Sequence, residues 1–395
     1  MLNINSKGYR ALELKRPLYL AFIIGSSFSA AFAQANFSRE VQQIATSVQS
    51  ISGVPALAIV AVNSEGVIGT GAAGFRRAGA SDPLRIADAF HIGSVTKPIT
   101  ATMIGKLIEQ GRLSWDSNPA QVFPEWSDQM DPALRTITLS QILAHQAGIG
   151  PFTEEKELKA LPRFVGVPQQ QRRQFAKYLL THKPAVMPGT QFLYSNAGYA
   201  LAAAMAEKVM RSSWEALMKN YVFIPLKMTS VSIGWPAKGK ADAPWGHELN
   251  GDRWVPSDPN GKYQLGPLLA PGGDLSMNAA NLGQFLLSHL RGLLGENGLL
   301  RAETVKKLHQ QYSSLHKEAL GWDLDDSISI KTGSAGTFFT LAVVAPKRDL
   351  AFAVLLNAND EKTAFATAGV VMKTFAVGTP ASRSEFKRQT VSSSE

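Results

Sequence analysis

The chain has 395 residues, enough for a large core, and its 45% hydrophobic and 18% charged content describes a globular protein and excludes a disordered one. Its net charge of +9 comes without a Lys/Arg run or interleaved aromatics, which excludes a nucleic-acid groove. The absence of cysteine excludes disulfides, thiolate metal sites, a cysteine nucleophile and a lipidated cysteine.

Lys7, Arg10, Lys15 and Arg16 lead into an apolar run over 18–28 and then Ala31-Phe32-Ala33, the small-x-small pattern that signal peptidase cuts. Residues 1–33 are therefore expected to be a signal peptide cleaved after Ala33, giving a periplasmic or secreted protein. The run is shorter than the ~20 residues that span a bilayer, and Ser and Gly interrupt it. No later segment reads as a span, so no stable membrane segment is expected after cleavage. The four basic residues and Glu13 of the leader carry three of the nine net charges, leaving +6 on the mature chain.

Val41, Ile44 and Val48 recur at helical spacing over 37–48. The apolar run 55–62, the turn residues Asn63-Ser64-Glu65-Gly66 and the run 67–73 read as a β-hairpin. Gly69-Thr70-Gly71-Ala72-Ala73-Gly74 matches the dinucleotide fingerprint letter by letter, yet the turn-rich 75–83 that follows has no helical period, and the fingerprint needs a helix opening at its glycines. The small residues are better read as room for a neighbouring segment to approach the strand.

Phe90-His91-Ile92-Gly93-Ser94-Val95-Thr96-Lys97-Pro98 comes next. Proline is tolerated only near a first helical turn, so a helix is expected to begin within a residue or two of Ser94, continued by Ile99, Met103, Ile104, Leu107 and Ile108. From Gly111 to about Leu315 the pattern is helices and loops, with helices over 139–145, 198–210, 214–221, 279–293 and 302–312. Strands return over 327–332, 337–345 and 350–357 as a meander; a helix over 363–375 precedes a polar tail, 379–395, expected to be disordered.

Strands at both ends and helices between them predict an α+β fold. One antiparallel sheet is built from both chain ends and flanked by helices, and a mostly helical lobe is inserted. The expected division is a sheet lobe over about 37–93 and 318–378 and a helical lobe over about 94–317, together one domain over 34–378.

Ser94 and Lys97 stand at i and i+3, where side chains share a helix face. A serine hydroxyl is a weak nucleophile until a base takes its proton, and an amine kept unprotonated by burial or positive neighbours is one such base. Two further features keep company with this pair: Tyr194-Ser195-Asn196, opening a helix, and Lys331-Thr332-Gly333, at a strand end before a glycine turn. With Phe90 to Lys97, Leu143 to Gly148, Pro188 to Tyr199, Ala270 to Asp274 and Lys331 to Gly336, the chain resembles the penicillin-recognising serine hydrolases. These comprise class C β-lactamases, D-alanyl-D-alanine carboxypeptidases and β-lactamase-fold esterases, and the likeness covers nearly all of 40–375.

The resemblance implies that Ser94 is acylated, that Lys97 and Tyr194 share its proton and relay one to the leaving group, and that Asn196 holds Lys97 and the substrate amide. It implies an oxyanion hole from the N–H groups of Ser94 and Ser334. Many esterase-like and peptidase-like relatives carry His where this chain has Lys331. A lysine there beside the Thr332 hydroxyl suits a substrate carboxylate, as in β-lactams and D-Ala-terminated peptides. Gln146-Ala147 departs from the Thr-Ser usual after that histidine.

The expected activity is that of an exported serine hydrolase on a β-lactam, D-Ala peptide or ester, with no cofactor and no metal. A carboxylesterase of the same fold keeps the nucleophile, with Phe192, Trp245, Trp254 and Trp322 as candidate acyl-pocket residues. A Ser-His-Asp hydrolase lacks a Gly-x-Ser-x-Gly elbow, and a zinc enzyme lacks His-Glu-x-x-His. A non-catalytic protein binding cell-wall peptide has no reason to hold Ser94, Lys97, Tyr194 and Lys331 together.

Overall fold

The computed structural model describes residues 36–375 apart from Ala241, residues 262–264 and Ala335. The expected leader 1–33 with its cleavage point, and the tail 379–395, lie outside the described residues.

Helix α1 (36–52) leads into β1 (Ala56–Asn63) and β2 (Gly66–Gly74). Asn63 makes the hairpin turn by accepting from the Glu65 and Gly66 amides at 3.1 Å each. After β3 (Phe90–His91) and a 3₁₀ turn, Gly93–Val95, come α2 (Thr96–Glu109), α3 (Pro119–Val122), α4 (Leu139–Leu143), α5 (Glu155–Lys159), α6 (Pro168–Thr181), α7 (Asn196–Met210) and α8 (Trp214–Met218). Short strands β4 (Val231–Ile233), β5 (His247–Asn250), β6 (Arg253–Pro256) and β7 (Leu275–Met277) are interleaved with α9 (Gly266–Gly273). The chain then forms α10 (Ala279–Leu293), α11 (Ala302–Leu308), the strands β8 (Asp323–Asp325), β9 (Ile328–Ser334), β10 (Phe339–Ala345) and β11 (Leu350–Leu356), and α12 (Glu361–Phe375).

The main sheet runs β2-β1-β11-β10-β9-β8, antiparallel throughout, so both chain ends build it. β1 and β11 are apolar at nearly every position because both faces are covered. Ala56, Ala58, Val60 and Val62 join the core under α10 and the helical layer, while Leu57, Ile59 and Ala61 join the core under α1 and α12.

The glycines of β2 serve close packing. A Cβ on Gly69 would lie 2.8 Å from the Ser38 Cα, and one on Gly71 would lie 2.6 Å from the Val41 carbonyl oxygen, both on α1. Gln42 of the same helix donates to the Ala72 carbonyl at 2.8 Å and accepts from its amide at 3.0 Å, covering the edge strand.

The inserted region is less purely helical than expected, with a three-stranded sheet, β3-β7-β4, and a hairpin, β5-β6. The segment expected as a helix over 302–312 ends at Leu308, and the sequence pattern gave no sign of β8. Helices α6 and α7 are joined by the buried Arg172, whose guanidinium donates to Glu207 (3.1 and 2.6 Å), Glu215 (2.8 Å) and the Pro267 carbonyl (2.8 Å). Among the described residues no helix is long and apolar enough to cross a membrane.

Candidate active site

Ser94 sits in the 3₁₀ turn that precedes α2, two residues before the α-helix proper. The turn needs Gly93, whose φ of +50° is a left-handed conformation, and a Cβ there would lie 2.4 Å from the Ser334 amide nitrogen. On the facing strand, a Cβ on Gly333 would lie 2.0 Å from the Ile92 carbonyl oxygen and 2.7 Å from the Ser94 amide nitrogen. Two glycines thus let the turn and the end of β9 meet backbone to backbone, bringing the Ser94 and Ser334 amides to one place.

His91 fixes the approach to the turn. Its Nδ1 accepts from the Gly93 amide at 3.2 Å, which leaves Nε2, 3.1 Å from Asp274 Oδ1, to donate.

Tyr194 is pinned from both sides. The Leu193 amide donates to the His145 carbonyl at 2.8 Å, and the Ser195 amide donates to His145 Nδ1 at 3.0 Å. Ser195 also caps α7, accepting from the Gly198 amide at 2.9 Å and donating to the Gly150 carbonyl at 2.7 Å. His145 adopts a φ of +57°, and its ring lies 4.6 Å from the Tyr194 ring, centroid to centroid.

These supports aim two groups at one oxygen. Ser94 Oγ lies 2.5 Å from Tyr194 Oη and accepts from Lys97 Nζ at 3.1 Å. Lys97 Nζ also donates to Asn196 Oδ1 at 2.7 Å and to the Gly272 carbonyl at 2.6 Å, which uses its three donors. The Asn196 amide nitrogen donates to the Phe152 carbonyl at 3.3 Å.

Burial lowers the Lys97 ammonium from its ordinary range, against the raising influence of Tyr194 and with help from Lys331. Burial pushes the Tyr194 phenol up, but the charges of Lys97 and Lys331 and the hydrogen bonds of Lys97 and Ser94 outweigh it, so the phenol is held below its ordinary range. Lysine and tyrosine therefore form one coupled acid–base unit around the hydroxyl.

Lys331 reaches the same group from β9, its Nζ 5.5 Å from the centre of the Tyr194 ring. It is already paired: Nζ donates to Asp323 Oδ1 and Oδ2 at 3.2 and 3.3 Å and lies 3.8 Å from Glu318 Oε1. Burial lowers its ammonium, and Asp323 and Glu318 more than restore it, leaving it above its ordinary range. Glu318 is fully buried, 3.6 Å from His145 Nε2, and desolvation pushes its carboxyl up to about 8.

Thr332 is not brought to the same place: it pairs with Leu341 across the ladder and shares that residue's face, under α1 and α12, while Lys331 pairs with Ala342 on the opposite face. Ser334 Oγ donates to Asn359 Oδ1 at 2.7 Å.

Asp323, Glu318 and the Gly272 carbonyl were missed at the level of sequence. Two acids flanking Ala319-Leu320-Gly321-Trp322 carry no signature until the 318–323 turn folds them beside Lys331. Trp322 is fully buried in the core rather than lining an open acyl pocket. Among the described residues no cluster of three His, Asp or Glu side chains is placed to hold a metal ion.

A relative named Protein flp, from Staphylococcus aureus (strain COL), is 27% identical over 282 residues, covering 69% of this chain and 53% of that protein, so the chain spans about half the length of that relative. A beta-lactamase of Escherichia coli (strain K12) is 22% identical over 306 residues, covering 68% of this chain and 75% of its own. The solved D-alanine carboxypeptidase AmpC from Burkholderia cenocepacia superposes with a TM-score of 0.65 at 22% identity, covering 85% of this chain and 99% of that one, which shows a shared fold. The beta-lactamase family model matches residues 41–374. This chain, with its two-ended antiparallel sheet and its side-chain cluster around Ser94, belongs to the beta-lactamase family.

Proposed function

We propose that the chain is an exported serine hydrolase that forms an acyl-enzyme on Ser94 with a β-lactam or D-Ala-type amide and then hydrolyses it. The observation that carries this reading is the position of Ser94 Oγ, 2.5 Å from a phenol and 3.1 Å from an amine that are both held below their ordinary pKa. In acylation the Ser94 oxygen attacks the carbonyl carbon as its proton passes to the Lys97–Tyr194 pair. The tetrahedral oxyanion is received by the Ser94 and Ser334 amides, donors worth ~3 kcal/mol each when preorganised. Tyr194 returns the proton to the leaving nitrogen as the C–N bond breaks. Water then attacks the ester with the proton flow reversed, releasing the acid and restoring Ser94.

The names of relatives, a β-lactamase and a D-alanine carboxypeptidase, support this substrate class. A second reading, a carboxylesterase acting on uncharged acyl donors, is supported by one observation: the Lys331 ammonium is engaged by Asp323. Export rests on the leader 1–33.

The test is intact-mass spectrometry of the folded protein after mixing with a penicillin, followed over time with peptide mapping. The expected result is an adduct of the whole penicillin on Ser94 that decays as free acid appears. No adduct with a penicillin, a D-Ala ester or a simple activated ester would overturn the hydrolase reading.

A further inference from the structure

A lysine in a cleft wall recognises a carboxylate only if it offers free donors and an unbalanced charge. Lys331 offers little of either: its side chain is 3% exposed and its ammonium is held by both oxygens of Asp323. Of the two acids beside it, Glu318 is sealed from solvent and its Oε1 lies 3.8 Å from Nζ, beyond hydrogen-bond distance. Asp323 is the solvent-facing partner, 44% exposed.

Its position is fixed by the fold. Asp323 opens β8 and pairs with Glu318, the Ala319 amide donates to the Trp322 carbonyl at 2.8 Å, and the turn passes through Gly321 at a φ of +96°. A Cβ on Gly321 would lie 3.0 Å from the Tyr199 hydroxyl and 3.2 Å from Pro98, so the turn is packed against α2 and α7.

We propose that Asp323 is the specificity-determining residue of the acyl site: by holding the Lys331 ammonium it stands where a substrate anion would bind, and so turns the site towards acyl donors that are uncharged at that position. A carboxylate arriving there must displace Asp323 and meets its negative charge; an ester, primary amide or carboxamide meets no such barrier. The inference rests on the reading of Ser94 as the acylated nucleophile and, within it, favours the carboxylesterase reading over a carboxylate-bearing β-lactam or D-Ala peptide.

The test uses two thioesters of N-acetyl-D-alanine, identical except that the leaving group is thioglycolate in one and its carboxamide in the other. For the wild-type protein, kcat/KM is expected to favour the carboxamide by about tenfold or more. In Asp323→Asn and Asp323→Ala that preference should narrow or reverse by about tenfold, chiefly through KM of the anionic thioester. Folding of each variant is checked by stoichiometric labelling of Ser94 with a neutral fluorophosphonate. A wild-type preference for the carboxylate overturns the proposal whether or not the variants fold. An unchanged ratio in labelled Asp323 variants does so equally. If neither thioester acylates wild-type Ser94 in the mass spectrum, the nucleophile assignment itself falls and takes the specificity claim with it.

Discussion

Ser94 owes its chemistry to what touches it, and each contact has a separable consequence. Tyr194→Phe removes the phenolic oxygen 2.5 Å away while leaving the ring against His145 and the backbone bonds of Leu193 and Ser195. We expect Ser94 acylation to slow by ~10²-fold or more, the usual loss for a general acid–base group, with an unchanged circular-dichroism spectrum. A loss below threefold would assign the proton to Lys97 alone. Residues carrying a spacing were legible in the chain: Ser94 and Lys97 at i and i+3, Tyr194 ahead of a helix cap, Lys331 before a glycine turn. Asp323 and Glu318 were not, because an acid's meaning here depends on which cation the fold brings to it. The same limit applies to Thr332, which follows a residue facing the site and is turned away from it by the strand's two-residue period.

At the scale of elements, the meeting of the 3₁₀ turn with β9 sets the geometry of the two amides. Gly333→Ala would drive a Cβ to within 2.0 Å of the Ile92 carbonyl oxygen, a backbone atom that cannot move cheaply. The strand end must shift and carry the Ser334 amide with it. We expect a ~10²-fold fall in acylation rate, the scale of losing one oxyanion donor, together with a lowered thermal midpoint in the same preparation. Retained activity with a lowered midpoint would remove Ser334 from the oxyanion site. The hairpin β1–β2 and the meander β9–β11 could be read from apolar runs broken by Asn-Ser-Glu-Gly, Gly-Ser-Ala-Gly and Pro-Lys-Arg-Asp. β8, three residues of Asp-Leu-Asp, has no strand propensity of its own and is made by pairing with Ile328–Ile330. The glycines of β2 spoke through a negative: no helix follows them, and α1 occupies the room they leave.

At the scale of the whole molecule, a buried hydrogen-bonded chain ties the helical layer to the sheet. Thr102 on α2 donates to the Pro98 carbonyl at 2.8 Å, so it accepts from His289 Nε2 at 2.9 Å. His289 Nδ1 then accepts from His309 Nε2 at 2.8 Å, and His309 Nδ1 accepts from Ser329 Oγ on β9 at 2.7 Å. This arrangement satisfies every contact with both rings neutral. Burial lowers His289 to about 3 and lowers His309 well below its ordinary value, with the neighbouring ring adding to the latter. Because both pKa values are depressed in the fold, their stabilising contribution is fully present above about pH 6.5 and is lost as the pH falls towards 3. The slope is at most ~1.4 kcal/mol per pH unit for each ring. Chemical denaturation between pH 7 and 4 should show this steep loss, reduced in His289→Gln; an equal slope in that variant would contradict it. No sequence pattern links Thr102, His289, His309 and Ser329, which come from four separate elements. The central claim, that Lys97 and Tyr194 converge on Ser94 and make it the nucleophile, is tested most directly by the rate and site of labelling with a neutral fluorophosphonate in wild type, Lys97→Met and Tyr194→Phe. A single label on Ser94 that slows by ~10²-fold or more in each variant is expected; a label on another residue, or wild-type rates in Lys97→Met, would contradict the claim.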